Sequence, residues 1–241
     1  MADQFVAWLG VAPGKRWLDV GCGTGALSDA ILRRSAPASV IGVDPVEAFI
    51  ARASAALTDP RASFRLGSAA DTGLPDGAAD VVVAGLVLNF VPDVRAALAE
   101  WLRVLASDGV VGAYVWDYVR GMGFIRAFWD AAVVVDPAAA AVDQGGRVGI
   151  AAEGQLEAVV RAVGFRAVES SSIAIPTVFA DFDDLWVPFL GGTGGAPGYV
   201  ATLDDAQRDA IREQLRRSVA AEPDGSIHLE ARAWVVRARR P

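Results

Sequence analysis

The chain has 241 residues, 53% of them hydrophobic, which suffices for a substantial core in one large α/β domain or two small ones. Its net charge of −7 argues against nucleic acid as the main partner, because phosphate backbones are bound by clustered Lys and Arg. No apolar run approaches the roughly 18 residues of a membrane span, and the first ten residues carry no basic leader, so a cytoplasmic protein is expected.

In chain order, residues 15–20 read as a strand, 26–34 as a helix, 39–44 as a strand, 46–57 as a helix and 62–66 as a short strand. This βαβαβ order predicts a parallel sheet. A turn follows at 74–77 (LPDG), then a nearly continuous apolar strand at 80–86 (DVVVAGL), of the kind buried on both faces. Val94, Ala97, Leu98, Trp101, Leu102 and Leu105 form one stripe of a helix that Asp108-Gly109 is expected to end before a strand at 110–116. Beyond it the pattern predicts a helix at 123–135, an alanine-rich stretch at 137–142, a glycine turn at Gly145-Gly146 and a helix at 152–163 stopped by Gly164. A strand region at 165–180 broken by Pro176, one short helix at 181–190 and a flexible loop GGTGGAPG at 191–198 come next. Thr202 with Asp205 signals a capping box for a helix carrying Leu203, Ile211, Leu215 and Val219. A final strand at 226–237 follows the Asp224-Gly225 turn, with Arg232, Arg237, Arg239 and Arg240 read as a solvated strand edge and tail. The absence of a linker or repeat predicts a single domain, 1–241, with insertions at about 119–150 and 181–224.

Residues 17–27 read WLDVGCGTGAL: a buried strand, a tight glycine turn and a helix start, the arrangement that brings backbone against a nucleotide-like ligand. Gly21-x-Gly23-x-x-Ala26 satisfies the relaxed dinucleotide fingerprint, so an NAD-type ligand is one reading. Asp19 and Gly25 separate the alternatives. A carboxylate two residues before the turn pairs with a cationic ligand and repels a pyrophosphate, and a third glycine suits close approach of a ligand without phosphate. Cys22 is the single cysteine, so no internal disulfide forms, and Cys22 and His228 are the only soft ligands, so no metal site is expected.

Asp19-x-Gly21-x-Gly23-x-Gly25, Asp44 at the end of the second strand, Gly67-Ser68-Ala69 after the third and Asp80 opening the fourth resemble class I S-adenosylmethionine-dependent methyltransferases. With LPDG at 74–77, FVPD at 90–93 and LRVLASDG at 102–109, the chain resembles the ubiquinone/menaquinone-biosynthesis type over about residues 14–118. The resemblance implies a Rossmann-like, doubly wound, mostly parallel seven-stranded sheet with helices on both faces and an antiparallel C-terminal strand. It implies S-adenosyl-L-methionine as cofactor and methyl transfer to a small molecule. It assigns Asp19 to the methionine end of the cofactor, Gly21, Gly23 and Gly25 to its cradle, and Asp44 to the ribose hydroxyls. Ser68 and Ala69 fall beside the adenine, and Gly85 and Leu86 beside the methionine part.

Other readings stand next to these. Asp44 followed by Pro45 also reads as a helix N-cap. Ser68 replaces the family's usual Asp, which makes Asp71 a candidate substitute. Asn89 stands where many relatives carry His, and His228 reads as a structural strand residue. No catalytic residue is assigned; Asp117 and Tyr118, just past the fifth strand, are the candidates for a base. Aromatic residues from Trp116 to Tyr199 suggest an apolar acceptor pocket under a lid at 191–198, hence an apolar or aromatic acceptor. The alternatives are an S-adenosylmethionine-binding protein without methylation activity, other chemistry in the same site, and an NAD-type oxidoreductase; a homodimer is compatible with the sequence.

Overall fold

The computed structural model describes residues 1–143, 145, 149–192 and 195–241. The chain divides into two compact units, the first built from 1–115, 153–173 and 234–241, the second from 116–152 and 174–233. Both expected insertions fall within the second unit.

The chain opens with a helix that no sequence pattern announced, α1 (Ala2–Leu9), which buries Phe5, Val6 and Leu9. There follow β1 (Arg16–Val20), α2 (Ala26–Arg34), β2 (Ser39–Asp44), α3 (Glu47–Ala56), β3 (Ala62–Leu66) and β4 (Ala79–Gly85). Next come α4 (Val94–Val104), β5 (Leu105–Trp116), α5 (Gly123–Val135) and α6 (Gln155–Val163). The order closes with β6 (Arg166–Phe179), α7 (Phe182–Trp186), α8 (Gly195–Val200), α9 (Asp205–Ser218) and β7 (Ile227–Arg239). Among the described residues the strands form one seven-stranded sheet in the order β3-β2-β1-β4-β5-β7-β6. The pairs β1/β2, β1/β4, β2/β3 and β4/β5 are parallel, and β7 is antiparallel. This is the expected doubly wound sheet. Val81, Val82 and Val83 are buried to 1% or less, as an apolar run in a parallel strand covered on both faces requires.

Four boundaries differ from expectation, each for a local reason. α4 ends at Val104 and β5 begins at Leu105, so Asp108-Gly109 does not stop the helix; it lies in an irregularity of β5, where Ala79 pairs Leu105 but Val81 pairs Val110. Pro176 does not break β6, because β6 is the edge strand and a missing N–H costs nothing on its open side. The N-cap of α9 is Asp204, in a capping box with Gln207, while the Thr202 hydroxyl donates to the Tyr199 carbonyl oxygen. Residues 195–200, expected as flexible loop, form α8. Thr193 and Gly194 of that expected loop, and Gly146 of the expected glycine turn, lie outside the described residues.

Of the C-terminal arginines Arg239 is exposed, while Arg232, Arg237 and Arg240 are partly buried, and β7 is no edge, since it lies between β5 and β6. Arg237 donates to the carbonyl oxygens of Trp8 and Leu9 and pairs with Glu169, and Arg240 donates to the Leu105 carbonyl oxygen. The second unit has its own apolar core. Phe128 stacks on Phe189 at 4.5 Å and meets Trp129 edge-on at 5.3 Å, with Trp186, Ile211 and Leu215 packed into the same cluster. Among the described residues no helix is long and apolar enough to cross a membrane.

Candidate functional site

The sheet order reverses at β1 and β4, the first leading to β2 and β3, the second to β5. In open α/β sheets ligands bind beyond the C-terminal ends of the strands at such a switch point. Here it holds a cavity of about 460 Å³, a size suited to a nucleoside-type ligand. Its walls are Gly21 after β1, Asp44 and Pro45 after β2, Ser68 to Ala70 after β3, Leu86 and Val87 after β4, and residues 90–93.

Gly21 adopts φ +67°, and a Cβ there would stand 2.4 Å from Val87 Cγ2, so only glycine fits the cavity floor. Gly25, at φ +95°, is bare for a different reason. A Cβ there would meet Leu57 Cδ1 at 2.8 Å, so its lack of a side chain serves packing at the end of α3, and it does not line the cavity. Four of the turn's backbone donors are already used. The N–H groups of Gly21 and Cys22 donate to the Val43 carbonyl oxygen at 2.8 and 3.0 Å, Gly23 N–H to Asp44 Oδ2 at 3.0 Å, and Gly25 N–H to the Cys22 carbonyl oxygen at 2.9 Å. A pyrophosphate held at a helix N-terminus takes such groups for itself. Those four are not available to such a group.

Asp44 is 7% exposed, and its Oδ1 also accepts the Val46 N–H at 2.9 Å. It is not a helix cap, because α3 starts at Glu47 with Val46 as N-cap. Its carboxylate fastens the end of β2 to the glycine turn and keeps lone pairs for ligand hydroxyls. Asp19 is 1% exposed; its Oδ2 accepts the Ser28 hydroxyl at 2.7 Å, while Oδ1 is buried without a hydrogen-bond partner. Burial pushes this carboxyl up to about 7, against the Ser28 hydrogen bonds and with help from nearby Asp44. An orphaned carboxylate oxygen calls for a cationic donor. Apolar walls, a carboxylate for hydroxyls and a second one short of a cation fit an S-adenosylmethionine-like ligand.

The remaining predicted cofactor residues divide. Ser68, Ala69 and Leu86 line the cavity, whereas Asp19, Gly23 and Gly85 do not. A Cβ on Gly85 would meet Tyr114 Oη at 2.5 Å, so the space beside Gly85 belongs to the Tyr114 ring. Leu86 adopts φ +64°, a strained conformation for a leucine, with its N–H donating to the Tyr114 carbonyl oxygen at 2.8 Å. Asp71 is exposed and outside the cavity; its Oδ1 accepts Gly73 N–H and its own N–H donates to Ser68 Oγ, so it ties the loop together. Trp101 Nε1 donates to the Ala69 carbonyl oxygen at 3.0 Å and fixes that wall from α4. Val87, Phe90 and Val91 are cavity residues that motif reasoning did not single out as such; Phe90, 75% exposed, was visible only as part of FVPD. Asp93 of that motif caps α4 by accepting Ala96 N–H at 2.9 Å.

Asp117 belongs to the second unit and is 2% exposed. Its Oδ2 accepts both Arg232 Nη2 and Nε, at 2.6 and 3.1 Å, and its Oδ1 accepts the N–H groups of Val119 and Arg120. With both oxygens engaged it has the surroundings of a structural anchor, not of a base. Burial pushes the Tyr118 hydroxyl up, which also disfavours its ionised form. His228 is exposed on β7 beside Ser226 Oγ, at 3.0 Å. Burial pushes the Cys22 thiol up, with Asp19 and Asp44 adding to the effect, as suits a packing residue. The aromatics expected to line an acceptor pocket are mostly spent on the second unit's core: Trp129 and Phe189 are at most 1% exposed, and Phe179, Phe182 and Trp186 are buried in the same cluster.

The methyltransferase domain family matches residues 18–112, the stretch that holds every wall of the cavity. The nocamycin O-methyltransferase of Saccharothrix syringae is 40% identical over 105 residues, 42% of this chain and 37% of that protein. The demethylmenaquinone methyltransferase of Symbiobacterium thermophilum is 35% identical over 111 residues, 44% of each. The chain spans less than half the length of these relatives. Among solved structures, a proposed type II methyltransferase from Anaeromyxobacter dehalogenans superposes with a TM-score of 0.67 at 25% identity, over 98% of this chain and 95% of that one.

Proposed function

Because residues 18–112 match the methyltransferase domain family, we propose that this chain is a class I S-adenosylmethionine-dependent methyltransferase and transfers a methyl group from S-adenosylmethionine to a small, apolar or aromatic molecule. The observation that carries the reading is the cavity at the switch point of the sheet, walled by Gly21 and Asp44, with Asp19 buried on the strand that leads into the glycine turn and short of a partner on Oδ1. That environment favours a cationic nucleoside over a dinucleotide.

When bound, the cofactor supplies a methyl group on a sulfonium whose departure leaves a neutral thioether. The protein's part is then chiefly to hold, orient and keep dry, and orientation of this kind supplies roughly 7–11 kcal/mol. In this reading Asp44 holds the ribose hydroxyls, Gly21 lets the backbone close on the ligand, and Leu86 and Val87 wall the cavity against water. Ser68 and Ala69 border the base, with Ala69 held by Trp101. An apolar acceptor is supported by the exposed Phe90 at the cavity and by the relative named for a demethylmenaquinone, while relatives named for trans-aconitate, a carboxylate, support only a small-molecule acceptor. The test is incubation with methyl-labelled S-adenosylmethionine and a metabolite extract, read by mass spectrometry. A labelled small-molecule product is expected; cofactor binding with no product from any acceptor would leave a binding protein instead.

A further inference from the structure

Asp19 is the buried titratable group whose geometry the cofactor reading leaves half explained. Its carboxyl is 1% exposed, takes the Ser28 hydroxyl on Oδ2 at 2.7 Å, and has no partner on Oδ1. No cation among the described residues pairs with it. The titratable groups facing it are Asp44 at the end of β2, Cys22 in the glycine turn and Tyr114 on β5, none of them able to offset a negative charge. Ser28, itself fully buried on α2, is the one side-chain donor that favours the ionised form.

Resting on the methyltransferase reading, we propose that binding of the cofactor's cationic end is coupled to loss of a proton from Asp19, and that Ser28 is the positioning residue that sets how readily the proton leaves. The carboxyl O–H bond breaks, its electron pair stays on the carboxylate, and the proton passes to solvent. The ligand's ammonium supplies the compensating charge that the protein does not provide. Ser28 holds Oδ2 in place and leaves Oδ1 without a protein partner; Asp19 is not one of the cavity's walls, so the coupling acts through charge. A carboxyl with so little stabilisation is about half protonated near neutrality, in keeping with its rise to about 7.

The experiment is isothermal titration of the intact protein with S-adenosylhomocysteine from pH 5.5 to 8, in buffers of different ionisation enthalpy. Binding at pH 7 is expected to release about half a proton per ligand, and affinity is expected to fall by close to tenfold per pH unit below the midpoint. Asp19→Asn should abolish the release. Ser28→Ala should move the midpoint to higher pH, and Ser28→Thr should restore it. Affinity unchanged across this range with no proton released would overturn the coupling while leaving the methyltransferase reading intact. A uniform weakening in Ser28→Ala with an unmoved midpoint would overturn the positioning role. No binding at pH 8, where Asp19 is ionised, would instead sink the methyltransferase reading.

Discussion

At the residue scale, the two carboxylates at the glycine turn are distinguished by their hydrogen bonds. Asp44 accepts two backbone N–H groups and faces the cavity, where one charge-assisted bond to a ligand hydroxyl is worth roughly 1.5–3 kcal/mol. Asp44→Ala is expected to weaken S-adenosylhomocysteine binding about 10- to 150-fold in a protein that stays folded, as read by titration alongside circular dichroism. Asp19 acts in the opposite sense on stability. Its folded pKa, about 7, lies above the ordinary 3.8, so the proton it holds stabilises the fold fully below pH 3.8, and this contribution is lost as pH rises through about 7. Thermal melts should therefore show Asp19→Asn gaining on the wild type between pH 5 and pH 8; a difference independent of pH would refute a strained buried carboxylate. Gly21→Ala meets both an unfavourable φ and the Val87 methyl at 2.4 Å. It should cost about 1–3 kcal/mol in denaturant unfolding and abolish measurable cofactor binding.

At the element scale, the first half of the chain was legible because each signal is local. The alternation of apolar strands with helices, the WLDVGCGTGAL turn and the apolar run of β4 are written within a few residues of where they act. What escaped depended on distant partners. Nothing near Gly85 shows that its space belongs to Tyr114, and nothing near Asp117 shows that Arg232, more than a hundred residues later, donates to its Oδ2 through both Nε and Nη2. The Asp117–Arg232 pair now carries an element-scale prediction. Asp117→Ala removes one acceptor of the Arg232 guanidinium and the acceptor of the N–H groups of Val119 and Arg120, a loss of about 2–3 kcal/mol because Arg232 is partly solvated. Denaturant unfolding should report that loss while cofactor affinity stays within twofold of wild type; unchanged stability would show that the pair is not an anchor. Pro176 teaches a related lesson, since its tolerance follows from β6 being the edge strand, a fact of sheet order invisible in a run of fourteen residues.

At the scale of the whole molecule, the sequence could not divide aromatics that build a core from those that line a pocket. Phe128, Trp129 and Phe189 are chemically suited to either, and only their mutual packing at 4.5 to 5.3 Å decides for the core of the second unit. Phe90, 75% exposed and at the cavity, is an aromatic residue not spent on a core. The cofactor site, by contrast, falls wholly within 18–112, where motif, sheet order and family agree. Its central claim is a ligand that carries a nucleoside and a cation but no pyrophosphate. Calorimetric titration of the purified protein at pH 8 with S-adenosylhomocysteine and, separately, with NAD tests it most directly. Saturable binding of the first, sensitive to Asp44→Ala, with no heat from the second is the predicted result; binding of NAD in place of S-adenosylhomocysteine would contradict it.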